Sequence, residues 1–278
     1  MTAGNSIRSN SAPTSAPTSV TNGVTTRVIK IGGRAQGDPA LASAVAAAVA
    51  SGDRICIVHG GGDEVTQLQR QLGAEPTFLN GRRITTAEDL VVVRMVLSGT
   101  VNKRLVQRLT AAGIAAAGVS GEDGRLLTCR LFADGALGAV GEPATVDPAL
   151  LMALMAGGFV PVVSPLGRFE DGAGCNVNGD DAAAAIAAAL GADELLLVAD
   201  VPAVLDASGA RIPQLDGDGM TALVASGDAK GGMIAKLESA RRALDGGVAR
   251  VRIGDLRAVG NSASGTTLVA HAEERRLR

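Results

Sequence analysis

With 278 residues the chain is long enough for one large domain or two modest ones around a sizeable core. Apolar residues make up 46% of it but aromatic ones only 1%, so the core must be built from Ala, Val, Leu and Ile, and stacking platforms for single-stranded nucleic acid are missing. A formal net charge of −2 gives no basic field for a phosphate backbone, so any small anion must be caught by local positive groups. The cysteines Cys56, Cys129 and Cys175 show no metal-type spacing and the histidines are only His59 and His271, which argues against a zinc cluster and for reduced thiols in a cytoplasmic protein. No apolar run approaches the roughly 18 residues of a membrane span. Neither nucleic acid nor membrane is expected as a partner.

Residues 1–24 are rich in Ser, Thr, Asn and Pro and lack the apolar stretch of a signal peptide, so they read as a disordered leader or a translation-start artefact. From Arg27 onward, short β-branched runs alternate with Ala-rich stretches of helical period, the pattern of an α/β fold with a mostly parallel sheet. Strands are predicted over Arg27–Ile31 and Arg54–Val58, each followed by a Gly-rich turn, with helices over Asp38–Ala50 and Asp63–Leu72. Thr77–Thr85 reads as a short hairpin or loop. Thr85 and Glu88 have capping-box spacing and open one long helix to about Leu109, whose apolar positions suit either core packing or a dimer surface. Ile114–Val119 and Phe159–Ser164 read as strands, with polar hairpins over Arg125–Val140 between them. Gly179–Leu190 reads as a helix with Asp180 and Asp181 in its first turn, where the dipole favours them. Then come a strand over Glu194–Val198 closed by Asp200, a hairpin over Leu205–Ile212, a helix from Gly231-Gly232 to about Leu244, and strands over Val248–Ile253 and Thr267–Val269.

Two segments carry the first chemical signal. Lys30-Ile31-Gly32-Gly33 places a lysine and paired glycines at a strand end, a geometry that lets backbone N–H groups approach a phosphate, although alone it reads equally well as an ordinary turn with a solvated lysine. His59-Gly60-Gly61-Gly62 repeats the device, and three successive glycines exceed what a tight turn needs. His59 itself suits a structural tie better than a general base. Neither segment is a Walker-type loop or a dinucleotide fingerprint, so together they suggest one shared phosphate-transfer site.

In order along the chain follow Asn80-Gly81-Arg82-Arg83-Ile84-Thr85, Gly99-Thr100-Val101-Asn102-Lys103, Leu137-Gly138-Ala139-Val140-Gly141-Glu142, Asn176-Val177-Asn178-Gly179-Asp180, Asp200-Val201-Pro202 and Lys230-Gly231-Gly232-Met233-Ile234-Ala235-Lys236. With the two glycine turns, this set resembles the amino-acid kinase family, and its later members resemble the acetylglutamate kinase branch, over roughly Val28 to Val269. The resemblance implies a three-layer α/β/α sandwich of the carbamate kinase-like type in two lobes, residues 25–190 for the acyl amino acid and for dimerisation and residues 191–278 for ATP. It implies transfer of the γ-phosphoryl group of ATP, with Mg²⁺, to the γ-carboxylate of N-acetyl-L-glutamate in arginine biosynthesis, by a cytoplasmic homodimer and without a covalent enzyme intermediate.

The same resemblance implies residue roles. Lys30 and Lys236 would neutralise charge on the transferred group and the leaving oxygen, with Asp180 orienting both. Gly32, Gly33, Gly60, Gly61 and Gly62 would meet phosphate through backbone N–H groups, and Gly61 and Gly62 would also touch the acceptor. Arg83 would clamp the α-carboxylate bidentately and Asn176 would meet the N-acyl amide. Asp200, Gly231, Gly232 and Met233 would take the nucleotide, and no protein ligand to a metal is assigned.

The sequence departs from the family at Arg82, a position often apolar in it and close to the expected acyl group. An N-succinylglutamate acceptor, with its extra carboxylate, therefore stays open beside carrier-linked aminoadipate. A non-catalytic nucleotide or amino-acid sensor is the third reading, and the joint presence of Lys30, Lys236 and Asp180 speaks against it. Ala199 and Ala203 flank Asp200-Val201-Pro202 where a small hydroxyl residue and a glycine are more usual, and the carboxyl end lacks the longer segment of arginine-inhibited members, so insensitivity to arginine is expected.

Overall fold

Strands of nearly continuous apolar sequence need cover on both faces, and the central sheet of this protein receives it. The computed structural model describes residues 24–32, 34–79 and 81–270, so most of the expected leader, Gly33 and His271 fall outside the described residues. In chain order the elements are β1 (Thr26–Ile31), α1 (Ala40–Ala50), β2 (Arg54–His59), α2 (Gly62–Gln71), β3 (Phe78–Leu79), β4 (Arg82–Arg83), α3 (Ala87–Arg94), α4 (Asn102–Ala111), β5 (Ala116–Ser120), β6 (Leu127–Leu131) and β7 (Val140–Val146). They continue with α5 (Ala149–Ala156), β8 (Val160–Ser164), β9 (Leu166–Arg168), β10 (Gly174–Val177), α6 (Gly179–Ala189), β11 (Glu194–Val198), β12 (Gln214–Leu215), α7 (Gly217–Ala225), α8 (Gly232–Asp245), β13 (Arg250–Gly254), α9 (Arg257–Gly260) and β14 (Thr266–Leu268).

The main sheet has the order β12-β14-β13-β11-β1-β2-β8-β5 and is 8-stranded. Its pairings are parallel except β13 with β14. The strands from the first part of the chain form one half and those after Glu194 the other, joined where β1 pairs with β11. Because side chains alternate across a strand, Ile29 and Ile31 point to one face, packing with Leu41 and Val45 of α1, Leu105 and Leu109 of α4 and Val259 of α9. Val28 points to the other, with Leu151 of α5, Ile186 of α6 and Leu237 and Ala240 of α8. Three layers result, as expected. The parity also fixes Lys30 on the face of Val28, toward α6 and α8.

The stretch expected as polar hairpins holds part of a second sheet instead. Strands β10, β7, β6 and β9 close into a small barrel. Cys129 and Cys175 meet in its interior, and the strands between them can approach only because two positions lack a side chain. A Cβ at Gly141 would lie 2.5 Å from Cys175 Sγ, and one at Gly167 would lie 2.6 Å from Cys129 Sγ. The long helix expected over Glu88–Leu109 is likewise divided, since Met95–Val101 forms a π-helical turn between α3 and α4. Its capping box is one residue later than the spacing suggested: Thr86 Oγ1 accepts from the Asp89 N–H and Asp89 Oδ2 from the Thr86 N–H. Thr85 is unavailable as a cap because it is fully buried, with its hydroxyl turned toward Arg83 O and Asn176. Among the described residues no helix is long and apolar enough to cross a membrane.

At the edge where the strands begin, charges are buried for stability. The register aligns Arg27, Glu194 and Arg250. Glu194, 1% exposed, accepts from Arg252 Nη2 at 2.6 Å and Arg250 Nη2 at 2.9 Å, with Arg27 Nη2 at 3.6 Å. Burial opposes its ionisation, but Arg252, Arg27 and Arg250 together hold its carboxyl below the usual range. Removing the carboxylate would strand these guanidinium groups, a change that typically costs about 3–5 kcal/mol. Glu194→Ala is therefore expected to lower the unfolding free energy from urea titration by that order, while ligand affinity at the opposite edge stays unchanged in the folded fraction.

Candidate active site

Asn178 caps α6, its Oδ1 accepting from the N–H groups of Asp180 at 2.9 Å and Asp181 at 3.2 Å. The cap aims the Asp180 carboxylate down at β1 and across at α8. Its Oδ1 lies 2.9 Å from Lys30 Nζ and its Oδ2 lies 3.0 Å from Lys236 Nζ. Lys30 is not the solvated lysine of an ordinary turn; it is 9% exposed, and Asp180 is 6% exposed. Gly179 permits this closeness, because a Cβ there would stand 3.2 Å from Lys30 Cε and 3.5 Å from His59 O. Burial disfavours the Asp180 carboxylate, yet the two ammonium groups hold its carboxyl below the ordinary value. Lys236 is lowered by burial and by Lys30, with Asp180 opposing both.

The glycine turn after β2 lies alongside. Gly61 has φ +147°, and a Cβ on it would meet Leu97 at 2.8 Å and Val101 at 3.2 Å, so only glycine fits against the π-helical turn. His59 holds the turn from below. Its Nδ1 lies 2.8 Å from Gly60 O, which can only accept, so that nitrogen carries the proton and Nε2 accepts from Asn102 Nδ2 at 3.2 Å. Asn102 also donates to Val162 O at 2.8 Å, tying the turn to β8. This explains Asn102 in the Gly-Thr-Val-Asn-Lys segment, to which sequence reasoning attached no role.

A cavity of about 220 Å³ opens beyond this turn, lined by Gly60–Gly62, Phe78, Arg82, Arg83, Asn176 and Gly179 among others. Arg83 bonds Gln69 Oε1, Gly62 O at 2.9 Å and Thr66 Oγ1 at 2.7 Å, all neutral acceptors, and its guanidinium lies over the Phe78 ring at 4.8 Å. Burial lowers its pKa, partly offset by the more distant Asp89 and Asp63. Asn176 on β10 donates from Nδ2 to Thr85 Oγ1 at 3.1 Å. Arg82, on the other face of the hairpin, pairs with Asp181 Oδ2 at 3.0 Å and lies over the Phe132 ring at 4.4 Å. Gln69 escaped the sequence reading. The available signal was its place one turn after Val65 on the apolar side of α2, where a polar residue is buried only with a partner.

The remaining expected residues stand apart from this cavity. Asp200 follows β11 and lines a separate cavity of about 490 Å³ with Arg34 and Arg257, pairing with Arg34 at 3.4 Å on the surface. Gly231 and Gly232 open α8 in an exposed position about one turn before Lys236, with Met233 half-buried beside them. Gly32 follows β1, and a Cβ there would make only ordinary contact with Val198 O at 3.6 Å.

Burial pushes the pKa of His59 down to about 4, the bond to Gly60 opposing only in part. Because the unfolded chain binds that proton from about pH 6.5 downward and the folded one resists it, stability is complete above pH 6.5 and is lost as pH falls toward 4, by about 3 kcal/mol for this group. Denaturant titrations across that window are expected to show the loss, and His59→Gln to remove this part of the slope.

The Amino acid kinase family model matches residues 25–255. The chain is 45% identical over 225 residues to an acetylglutamate kinase of Jannaschia sp., covering 80% of this chain and 79% of that protein. The crystal structure of smu.665 from Streptococcus mutans UA159 superposes with a TM-score of 0.81 at 28% identity, over 88% of this chain and 99% of that one. Carbamate kinase from Giardia lamblia shares the fold, with a TM-score of 0.69 at 18% identity over 90% of this chain and all of that one (100%). Ordered motifs, a three-layer sheet and the match over most of the chain converge: this protein belongs to the amino acid kinase family.

Proposed function

We propose that the chain is an acetylglutamate kinase, moving the γ-phosphoryl group of ATP onto the γ-carboxylate of N-acetyl-L-glutamate in arginine biosynthesis. The observation that carries this is the Asp180 carboxylate held between Lys30 at 2.9 Å and Lys236 at 3.0 Å, next to a glycine turn and a cavity with an arginine bonded only to neutral acceptors. The name carried by the relatives supports it and does not favour the carrier-linked or sensor readings.

The acceptor carboxylate is ionised at neutral pH, since a free Glu side chain titrates near about 4.3, so no general base is needed. An oxygen of that carboxylate bonds to the γ-phosphorus as the bond to the β–γ bridging oxygen breaks, and ADP leaves with the electron pair. Lys30 meets charge on the transferred group and Lys236 charge on the leaving oxygen, while Asp180 keeps both ammonium groups placed. Arg83 takes the α-carboxylate, Asn176 the N-acyl amide, and the N–H groups of Gly60, Gly61 and Gly62 the phosphoryl oxygens, together with Gly32; Gly33, expected in the same role, lies outside the described residues. Gly231 and Gly232 at the N-terminus of α8, Met233 and Asp200 take the nucleotide. Residues 25–190 thus serve the acceptor and 191–278 the nucleotide. Mg²⁺ enters as part of the Mg–ATP substrate, held largely through water and phosphate oxygens, and no protein ligand is assigned to it. A cytoplasmic homodimer is part of the same reading, its contact on the face of α3 and the π-helical turn that exposes Val91 and Met95.

Incubation with Mg–ATP and N-acetyl-L-glutamate in the presence of hydroxylamine is expected to yield the hydroxamate; no product overturns the assignment. Lys236→Ala should lower kcat by about 100-fold or more with little change in acceptor KM. Arg83→Ala should instead raise acceptor KM by about 10- to 100-fold. If kcat follows the ionisation of Lys236, its alkaline limb should fall below the ordinary lysine value of about 10.4, and Asp180→Asn should bring it lower still.

A further inference from the structure

The acceptor hairpin carries two adjacent guanidinium groups whose charges are treated in opposite ways. Arg83 hydrogen-bonds only to neutral oxygens, which leaves its charge to be met by a ligand. Arg82 is held by Asp181 Oδ2 at 3.0 Å. Asp181 is 5% exposed and is fixed from behind by Ser239 Oγ at 2.6 Å and by Arg242. Arg242 in turn leans on Glu142 at 3.7 Å, and Glu142 meets Arg130 at the solvent end, at 3.0 Å. The chain of charges runs from α8 through α6 to β4 and ends at the cavity wall, where Arg82 is 17% exposed in its side chain.

The position of this wall matters. On the reading above, the acceptor's γ-carboxylate must lie at the Lys30–Asp180–Lys236 end, so its α-substituents face the hairpin. Arg83 meets the α-carboxylate there and Arg82 stands next to the acyl branch. An unpaired Arg82 would be a ready receptor for a second carboxylate on that branch. Paired with a buried aspartate, its charge is already engaged, and an anionic acyl group approaching it would also approach the Asp181 carboxylate. We propose that Asp181 sets acyl specificity by acting through Arg82: their ion pair excludes N-acyl groups that bear a charge and confines the acceptor to neutral ones such as acetyl. The inference rests on the kinase reading and names the acceptor class of the same site.

The test is the ratio of kcat/KM for N-succinyl-L-glutamate to that for N-acetyl-L-glutamate, measured within each variant so that any general loss through Ser239, Arg242 or Lys236 cancels. Wild type is expected to favour the acetyl compound. Asp181→Asn, which strips Arg82 of its counter-charge, should raise the ratio at least tenfold, while Arg82→Leu alone should leave it within about twofold and Arg82→Leu combined with Asp181→Asn should bring it back. Glu142→Gln, at the less buried end of the chain of charges, leaves Asp181 more fully engaged by Arg242 and should move the ratio the same way by about threefold, which keeps the question answerable if Asp181→Asn does not fold. An unchanged or lowered ratio in these two carboxylate variants, or a large change in Arg82→Leu alone, overturns the proposal. Turnover of neither acceptor by wild type would instead overturn the kinase reading, and turnover of the acetyl compound with an unmoved ratio would leave that reading standing.

Discussion

Two ammonium groups buried on one side of a sheet repel each other unless something negative stands between them, and here that something is the Asp180 carboxylate. Its two oxygens face Lys30 and Lys236 separately, so each lysine keeps a partner while both stay turned to the same space. Everything nearby serves this arrangement. The alternation of β1 puts Lys30 on the α6 face, the Asn178 cap starts α6 where Asp180 can reach it, and Gly179 removes the Cβ that would crowd Lys30. A carboxylate flanked by two cations is also resistant to protonation, which keeps the cluster intact across the pH range in which a kinase works.

The same sheet uses buried charge for two different ends. Where the strands begin, Glu194 hydrogen-bonds Arg252 and Arg250 and stands 3.6 Å from Arg27, so its charge is met within the protein. Where they end, the partnering is incomplete by design of the geometry: Arg83 has only neutral acceptors and the N-terminus of α8 lies open. Open α/β sheets bind ligands at this carboxyl edge because helix N-termini and strand-end turns converge there. The contrast between Arg82 and Arg83, neighbours on one hairpin, repeats that division within a few ångströms.

Much of the site was readable because phosphate chemistry leaves compact local signs. A lysine at a strand end, a glycine triplet after a strand and an acidic pair opening a helix are each written within a few residues, and the structure brings Lys30, the turn of residues 60–62 and Asp180 together. Their supports were less readable. Gln69 and Asn102 act through contacts that span tens of residues in the chain, and His59 is explained only once Asn102 and Gly60 O are seen on either side of its ring. Local sequence also misplaced details that tertiary packing overrides. Thr85 had the spacing of a cap, but burial against Asn176 took its hydroxyl and passed the cap to Thr86.

The sequence by itself determined the layered α/β architecture, the glycine turns and the identity of the lysines and arginines, because apolar period and turn chemistry are properties of neighbouring residues. Only the tertiary structure decided which charges meet. The small barrel, the π-helical turn that demands glycine at position 61, and above all the pairing of Arg82 with Asp181 are set by distant strands and helices brought face to face. A guanidinium's effect depends on whether a carboxylate already holds it, and residues 82 and 181 lie too far apart in the chain for their meeting to be read from either segment alone.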